Sequence, residues 1–211
     1  MENYLDRSFG LHHGADVIRL FGLGVYLRLL AEPHKDLLEV VTDWNLAHGI
    51  PIPGRMGNAY RLAALLEYRV AQIYGAMAET FGTLAPAREL FRDLQEEEIQ
   101  HGRVMTFCLY TVRAGENVHY IPGVRDPDVQ ALLAELRRVR RSIPEMTLDD
   151  ALDQTLQLEQ SEVNLIFERL LTQVDDPRSQ FIAERLEQAG EHWFTVPPRV
   201  ERLRAQLRMA A

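Results

Sequence analysis

Apolar residues recur at alternating steps of three and four along most of this chain, which is the spacing of one face of an α-helix. The alternation of apolar and polar residues that is typical of a strand is nearly absent. Breaks at proline, glycine and capping residues predict helices at about 14–31, 34–48, 59–82, 86–114, 128–142, 147–173 and 177–195. Asn58 and Thr147 are predicted N-caps, and Pro197–Pro198 is expected to stop or kink the last helix before it resumes. The pattern therefore predicts an all-α fold.

The order of these helices predicts an organisation in two parts. The first two helices form a hairpin split by Pro33, and a Pro/Gly-rich connector at 48–58 follows them. The connection at 115–146 is long enough for a crossover between two later hairpins of a four-helix bundle. We therefore divide the chain into an N-terminal hairpin with its connector, 1–57, and a four-helix bundle with a C-terminal helix extension, 58–211. The leading hairpin is apolar on more than one face, so it needs cover from the bundle or from a second subunit, and we expect a homodimer.

Two of the predicted helices carry ionisable residues inside their apolar stripes. The first stripe is Tyr60, Ala63, Glu67, Val70, Tyr74, Met77 and Phe81, and the second is Leu90 or Phe91, Leu94, Glu98, His101, Met105 and Cys108. The short segment at 82–88 favours antiparallel packing of the two helices, so Glu67, Glu98 and His101 should point inward. Burying a charge without a partner is expensive, and two carboxylates with one imidazole suit iron, manganese or zinc. The stripes therefore predict a metal site.

The Glu-x-x-His spacing is a weak signal by itself. The segment at 116–119 also has this spacing, but glycine, asparagine and proline around it break any helix, so its two side chains share no face. Glu98 and His101 differ because they lie in register with an apolar stripe and with Glu67. Two interpretations remain open for the pair, metal ligation and a hydrogen-bonded polar pair in the core. The adjacent residues 96–97 are expected to be a solvated acidic run.

The sequence of Glu67, Tyr74, Glu98 and His101 resembles the first half-site of the ferritin-like and rubrerythrin-like di-iron proteins. In that family two helical hairpins each contribute a Glu and a Glu-x-x-His pair to metal ions inside a four-helix bundle. The resemblance covers about residues 59–195. It implies a ferritin-like fold, bound iron (one or two ions, with manganese or zinc as alternatives), and oxidation of iron or reduction of peroxide. The chain lacks the Cys-x-x-Cys pairs of a rubredoxin module, so the electron donor would be an unknown partner.

The second half of the chain repeats the first imperfectly. Glu159 lies in a third apolar stripe and His192 lies beside a fourth, 33 positions apart against 34 for the first Glu and His. Ala189 stands where the second Glu-x-x-His needs its carboxylate, so the full ligand set of the family cannot be carried over. Glu159 and His192 remain candidate ligands, with Glu162, one turn beyond Glu159, as a further candidate. The alternative for Glu159 and His192 is a structural ion pair or polar residues at the rim of the core.

The imperfect repeat leaves two functions open. Tyr74 either packs in the core, or serves as a catalytic residue that hydrogen-bonds a ligand carboxylate or donates an electron. Phe167 or Ile166 stands at the equivalent position of the second half, so a mononuclear or asymmetric site is one form that the centre can take. The first function is a metal-binding protein, an oxidoreductase or peroxidase by resemblance. The second is a non-catalytic helical scaffold or interaction protein that kept the fold and lost the site.

Composition narrows the class of protein further. The chain has 211 residues, of which 46% are hydrophobic, enough for a sizeable core, and its net charge of −8 argues against nucleic-acid binding. The arginines at 137–141 are expected to form a solvated helix face. Cys108 is the only cysteine, so no internal disulfide forms, and its role is core packing or that of a redox thiol. The chain shows no signal-peptide pattern, and its most apolar segment, 15–30, carries two arginines and is too short for a membrane span. A soluble, cytoplasmic protein is expected.

Overall fold

The computed structural model of the protein describes residues 14–111, 121–171 and 192–210. No strand occurs in these three ranges, so the all-α prediction is confirmed for them. The helices are α1 (Gly14–Phe21), α2 (Leu23–Ala31), α3 (Leu37–His48), α4 (Gly54–Thr80), α5 (Ala85–Thr111), α6 (Pro127–Ser142), α7 (Leu148–Glu159), α8 (Glu162–Leu171) and α9 (His192–Ala210), with a 3₁₀ turn at Ile143–Glu145.

The N-terminal segment is more broken than predicted. The expected helix at 14–31 is two helices, because the chain turns at Gly22, whose φ of +92° lies in the left-handed region that favours glycine. The prediction of one continuous helix there is wrong. Beyond Pro33, α3 begins with a capping box in which the Asp36 carboxylate accepts from the Glu39 backbone N–H and the Glu39 carboxylate accepts from the Asp36 N–H.

The connector before α4 is shorter than predicted. α4 begins at Gly54, whose φ is +71°, and Asn58 lies inside the helix, where its side-chain oxygen accepts a hydrogen bond from Arg61. A Cβ at Gly57 would lie only 1.8 Å from the carbonyl oxygen of Ile52, so glycine is required for the chain to pack there. The prediction of Asn58 as the N-cap is therefore wrong.

α4 and α5 form an antiparallel pair. Phe81 near the end of α4 contacts Phe91 near the start of α5, with ring centroids 6.0 Å apart, and Tyr68 earlier on α4 lies against Gly102 later on α5. Both predicted stripes face inward. Their buried members are Tyr60, Ala63, Glu67, Val70, Tyr74 and Met77 on α4, and Leu90, Phe91, Leu94, Glu98, Met105 and Cys108 on α5.

The helix predicted at 147–173 is interrupted. Thr147 caps α7 as predicted, because its hydroxyl accepts a hydrogen bond from the backbone N–H three residues later. The chain then turns at 160–161, and the Ser161 hydroxyl accepts from the Val163 N–H at the start of α8. Ser161 is thus an N-cap that we did not recognise in the sequence. The break places Glu159 at the end of α7 and Phe167 on a separate helix.

α9 is tied to its neighbours by two arginines. The Pro-Pro pair at 197–198 lies inside this helix, so of the two expected effects, a stop or a kink, the stop is wrong. Arg199 Nη1 donates to both carboxylate oxygens of Glu97 on α5, at 2.9 and 3.0 Å. Arg204 Nη2 donates to one carboxylate oxygen of Asp153 on α7. Glu97 is therefore part of an ion pair and not of a solvated run.

The chain forms two compact units. Of the described residues, the first unit contains 14–64, 103–111, 121 and 169–171, and the second contains 65–102, 122–168 and 192–210. In the first unit the Phe21 and Phe107 rings meet edge to face, and the backbone N–H of Ile52 donates to the carbonyl of Leu109. The second unit holds the whole candidate site. The domain boundary between 57 and 58 and the crossover at 115–146 stay predictions.

Two expectations concern the surface and the core. The arginines at 137–141 are exposed, as a solvated helix face requires, and Cys108 is buried, as core packing requires. Within the part of the chain that the structure describes, none of the helices is both long enough and apolar enough to cross a membrane.

Candidate metal centre

Glu67, Glu98 and His101 come together in the second unit. Each offers one ligand atom, and these atoms all lie within 4.8 Å of one another. Gly102 permits the close approach of the two helices here, since a Cβ at that position would lie 2.6 Å from the Tyr68 ring. The short loop, the two apolar stripes and this glycine thus combine to bring two carboxylates and an imidazole to one point.

The imidazole faces both carboxylates with the same nitrogen. His101 Nδ1 lies 3.3 Å from Glu98 Oε2 and 3.7 Å from Glu67 Oε2. Only 1% of either carboxylate side chain is exposed, against 12% of the His101 side chain. The cluster is therefore almost fully withdrawn from water, and what contact it has with solvent is at the histidine.

The charges of the cluster are poorly compensated. Neither carboxylate oxygen of Glu67 has a hydrogen-bond partner within the described ranges. Burial raises the pKa of Glu67 well above its ordinary value, the negative charge of Glu98 adds to this, and the contact with His101 opposes it without cancelling it. Burial by itself lowers the pKa of His101, but the two carboxylates outweigh it and raise that pKa well above its ordinary value. Both raised pKa values favour the uptake of positive charge by these three groups.

Tyr74 and Glu159 form a second buried polar contact. The Tyr74 hydroxyl donates to Glu159 Oε1 at 2.6 Å, which joins α4 to the end of α7. Burial raises the pKa of Tyr74 well above its ordinary value, and the negative charges of Glu159 and Glu98 raise it further. Glu159 is not a member of the three-residue cluster, although both carboxylates influence the same tyrosine. The side chains of Glu162 and His192 lie outside the described part of the structure.

One neighbour of the cluster is not predictable from the sequence. The Phe167 ring on α8 packs against the His101 ring with centroids 4.6 Å apart and an interplanar angle of 36°. The sequence pattern identifies Phe167 only as one of two residues at the position equivalent to Tyr74 in the second half of the chain. The contact of Phe167 with His101 depends on the break at 160–161, which changes the direction of the chain before α8. No spacing of residues in the sequence identifies this contact.

The donor set is chemically suited to a transition metal ion. Carboxylate oxygen and imidazole nitrogen are ligands of iron, manganese and zinc, and three protein ligands leave positions open for other molecules. A divalent cation would partner the carboxylate oxygens of Glu67 and offset the excess negative charge. The residues present thus fit a metal ion at Glu67, Glu98 and His101.

Comparison of the chain with family models, with curated proteins and with solved structures finds no match. The likeness to ferritin-like and rubrerythrin-like proteins depends on the motif residues in the sequence alone and stays a prediction. The function must therefore be argued from the geometry of the cluster.

Proposed function

We propose that the protein binds a transition metal ion through Glu67, Glu98 and His101, and that iron is the ion it holds in the cell. The observation that carries this proposal is the Glu67 carboxylate, which is 1% exposed and makes no hydrogen bond among the described residues. Buried carboxylates are otherwise paired or hydrogen-bonded, because an isolated buried charge is strongly unfavourable. A cation is the partner that the site is shaped to accept.

The size of the repulsion between the Glu67 and Glu98 carboxylates favours a site that binds a cation rather than a polar cluster without one. When both are ionised, two carboxylates whose ligand atoms lie within 4.8 Å repel each other by about 3–4 kcal/mol at an effective dielectric constant of about 20. One imidazolium leaves such a cluster with a net negative charge, so it relieves only part of this repulsion. A divalent ion neutralises the two carboxylates and uses all three groups as ligands.

The resemblance supplies the class of reaction in this proposal. A metal ion bound here would supply redox and Lewis-acid chemistry in a pocket shielded from water. Glu67, Glu98 and His101 would hold it, and Tyr74 would keep the Glu159 carboxylate in place and retain its own proton. We propose a ferritin-like, rubrerythrin-like protein that oxidises iron or reduces peroxide with a separate electron donor. Whether a second ion binds depends on Glu159, Glu162 and His192.

Elemental analysis of protein purified without chelator and supplied with iron tests the proposal. The wild type is expected to retain about one equivalent of metal or more, and Glu98→Gln to lose most of it. Glu96→Gln is the matched control, because Glu96 is an exposed glutamate two positions away whose carboxylate accepts a hydrogen bond from Gln100. Less than about a third of an equivalent in the wild type would refute the proposal.

A second function is favoured by a separate observation. Leu23, Leu27 and Leu30 lie on one side of α2 with exposed fractions of 56%, 54% and 42%. Exposed apolar side chains of this kind are typical of interaction surfaces, which fits a scaffold protein or a homodimer. The scaffold alternative predicts that the melting temperature of Glu98→Gln equals or exceeds that of the wild type whether or not iron is present.

A further inference from the structure

Within the three-residue cluster, solvent contact is concentrated at the histidine. The Glu67 and Glu98 side chains are 1% exposed, and the oxygens of Glu67 are buried, whereas the His101 side chain is 12% exposed. Among the described residues, the histidine is therefore the side from which we expect a small molecule to approach a metal ion. The groups that cover the His101 ring decide how wide that approach is.

Phe167 covers that ring. The two ring centroids are 4.6 Å apart, which is direct contact for aromatic rings, and Phe167 is itself 8% exposed. α8 holds the side chain firmly, because Val163, Ile166 and Leu170 on the same helix are all buried. Phe167 and His101 thus lie in contact at the least buried member of the cluster.

We infer that Phe167 is a specificity-determining residue that admits small molecules to the metal ion and excludes ring-sized ones. This inference rests on the proposed metal site. Interiors of proteins are close-packed, so a ring-sized molecule must displace the Phe167 ring from its contact with His101. Small molecules such as dioxygen or peroxide need only a slight rotation of the ring about its side-chain bonds.

The position of Phe167 also explains why an aromatic residue is used there. A planar ring packed on the imidazole covers it and fixes its orientation, so that Nδ1 keeps facing Glu98 at 3.3 Å. Leucine would fill part of the volume, but it lacks the flat surface that seals against a second ring. Alanine would leave a cavity beside the imidazole, wide enough for a further ring to enter.

Titration of the Co²⁺-loaded protein with two probes tests the inference. Azide is a small linear anion and 4-phenylimidazole is a bulky metal ligand, and the visible absorption of Co²⁺ reports the binding of either. The variants are Phe167→Ala, Phe167→Leu and the control Val163→Ala, which shortens another buried side chain of α8. Phe167→Leu keeps most of the apolar contact, so it decides the question if Phe167→Ala does not fold.

The wild type is expected to bind azide and to exclude 4-phenylimidazole. Phe167→Ala should bind 4-phenylimidazole about tenfold more tightly or better while its azide affinity changes little, Phe167→Leu should follow in the same direction, and Val163→Ala should behave as the wild type. If Phe167→Ala and Phe167→Leu discriminate between azide and 4-phenylimidazole as the wild type does, the inference is overturned and the proposed metal site is not. The same holds if Val163→Ala shows the same change as Phe167→Ala. Absence of bound Co²⁺ in the wild type would overturn the proposed function and this inference with it.

Discussion

Two clusters of charged side chains in this molecule are built in opposite ways. At the turn between α2 and α3, Lys35 Nζ lies 2.6 Å from both Glu32 and Asp43, and Arg28 Nε lies 2.5 Å from Glu32. Two positive groups face two negative groups there, and every member is between 23% and 39% exposed. The interior cluster of Glu67, Glu98 and His101 has two acids and one base, and water barely reaches it.

The difference teaches which cluster needs a functional explanation. The balanced cluster at the turn is hydrated and needs no functional explanation, because exposed ion pairs form readily and contribute little to stability. The interior cluster has two acids and one base in a place where charge is costly, and His101 balances only one of the two carboxylates. A chain selected only for stability would place apolar residues at these positions.

The largest expected effect is on thermal stability in the presence of metal. Binding at a hundredfold excess over the dissociation constant should raise the melting temperature of the wild type by about 5–10 °C, because the ion binds only the folded state. Glu98→Gln should abolish this increase. Differential scanning calorimetry with anaerobic Fe²⁺ or with Mn²⁺ measures it, with Glu32→Gln as a control that keeps the full increase. An equal increase in Glu98→Gln would mean that the ion binds elsewhere.

Matched substitutions in the two clusters should have effects of opposite sign when metal is absent. Glu67→Gln replaces an acid that is costly to bury next to Glu98 with a neutral group of the same volume, so we expect a gain of about 1–2 kcal/mol in the free energy of unfolding. Glu32→Gln removes a member of a balanced surface network, so we expect a small loss. Urea denaturation of metal-free protein at neutral pH compares them. A loss of several kcal/mol in Glu67→Gln would favour a stabilising polar cluster over a metal site.

The ion pairs of Arg199 are intermediate in burial between the two clusters. The Arg199 side chain is 12% exposed, and its partners Glu97 and Asp93 are 19% and 43% exposed. Arg199→Met should cost about 1–2 kcal/mol, because the bidentate bonds to Glu97 are charge-assisted but the carboxylates can rehydrate. The metal-dependent increase in melting temperature should persist in this variant. Loss of that increase would show that α9 is required to hold the cluster together.

The smallest expected effect concerns pH at the surface cluster. Hydrogen bonds from Lys35 and Arg28 lower the pKa of Glu32 to about 2 from an ordinary value of 4.5. A lowered pKa stabilises the folded state above the unfolded value, and this contribution is lost as the pH falls from 4.5 towards 2. The small difference in melting temperature between the wild type and Glu32→Gln should therefore vanish over this interval. A difference that grows as the pH falls would contradict the assignment.

The central features of the interior cluster could be predicted because they follow from local periodicity. Stripes of period 3.6 and a short loop are enough to direct Glu67, Glu98 and His101 toward one point, and both helices follow the expected registers. The N-cap at Thr147 could also be predicted from the local sequence, because a threonine just before a helical pattern is a preferred capping residue.

The features that could not be predicted depend on contacts between distant segments. Gly22 ends one helix and permits the next, but the surrounding apolar pattern runs across it without a break. Arg199 is fixed by carboxylates about a hundred positions earlier in the chain, and no local pattern pairs them. The packing of Phe167 on His101 depends on the direction of α8 beyond the turn at 160–161.

Anomalous X-ray scattering at the iron and manganese edges, from crystals grown with either ion, tests the central claim most directly. The account predicts a peak within about 2.5 Å of a carboxylate oxygen of Glu67, a carboxylate oxygen of Glu98 and Nδ1 of His101. A map without a peak between these three side chains, from crystals grown in ample metal, would contradict it.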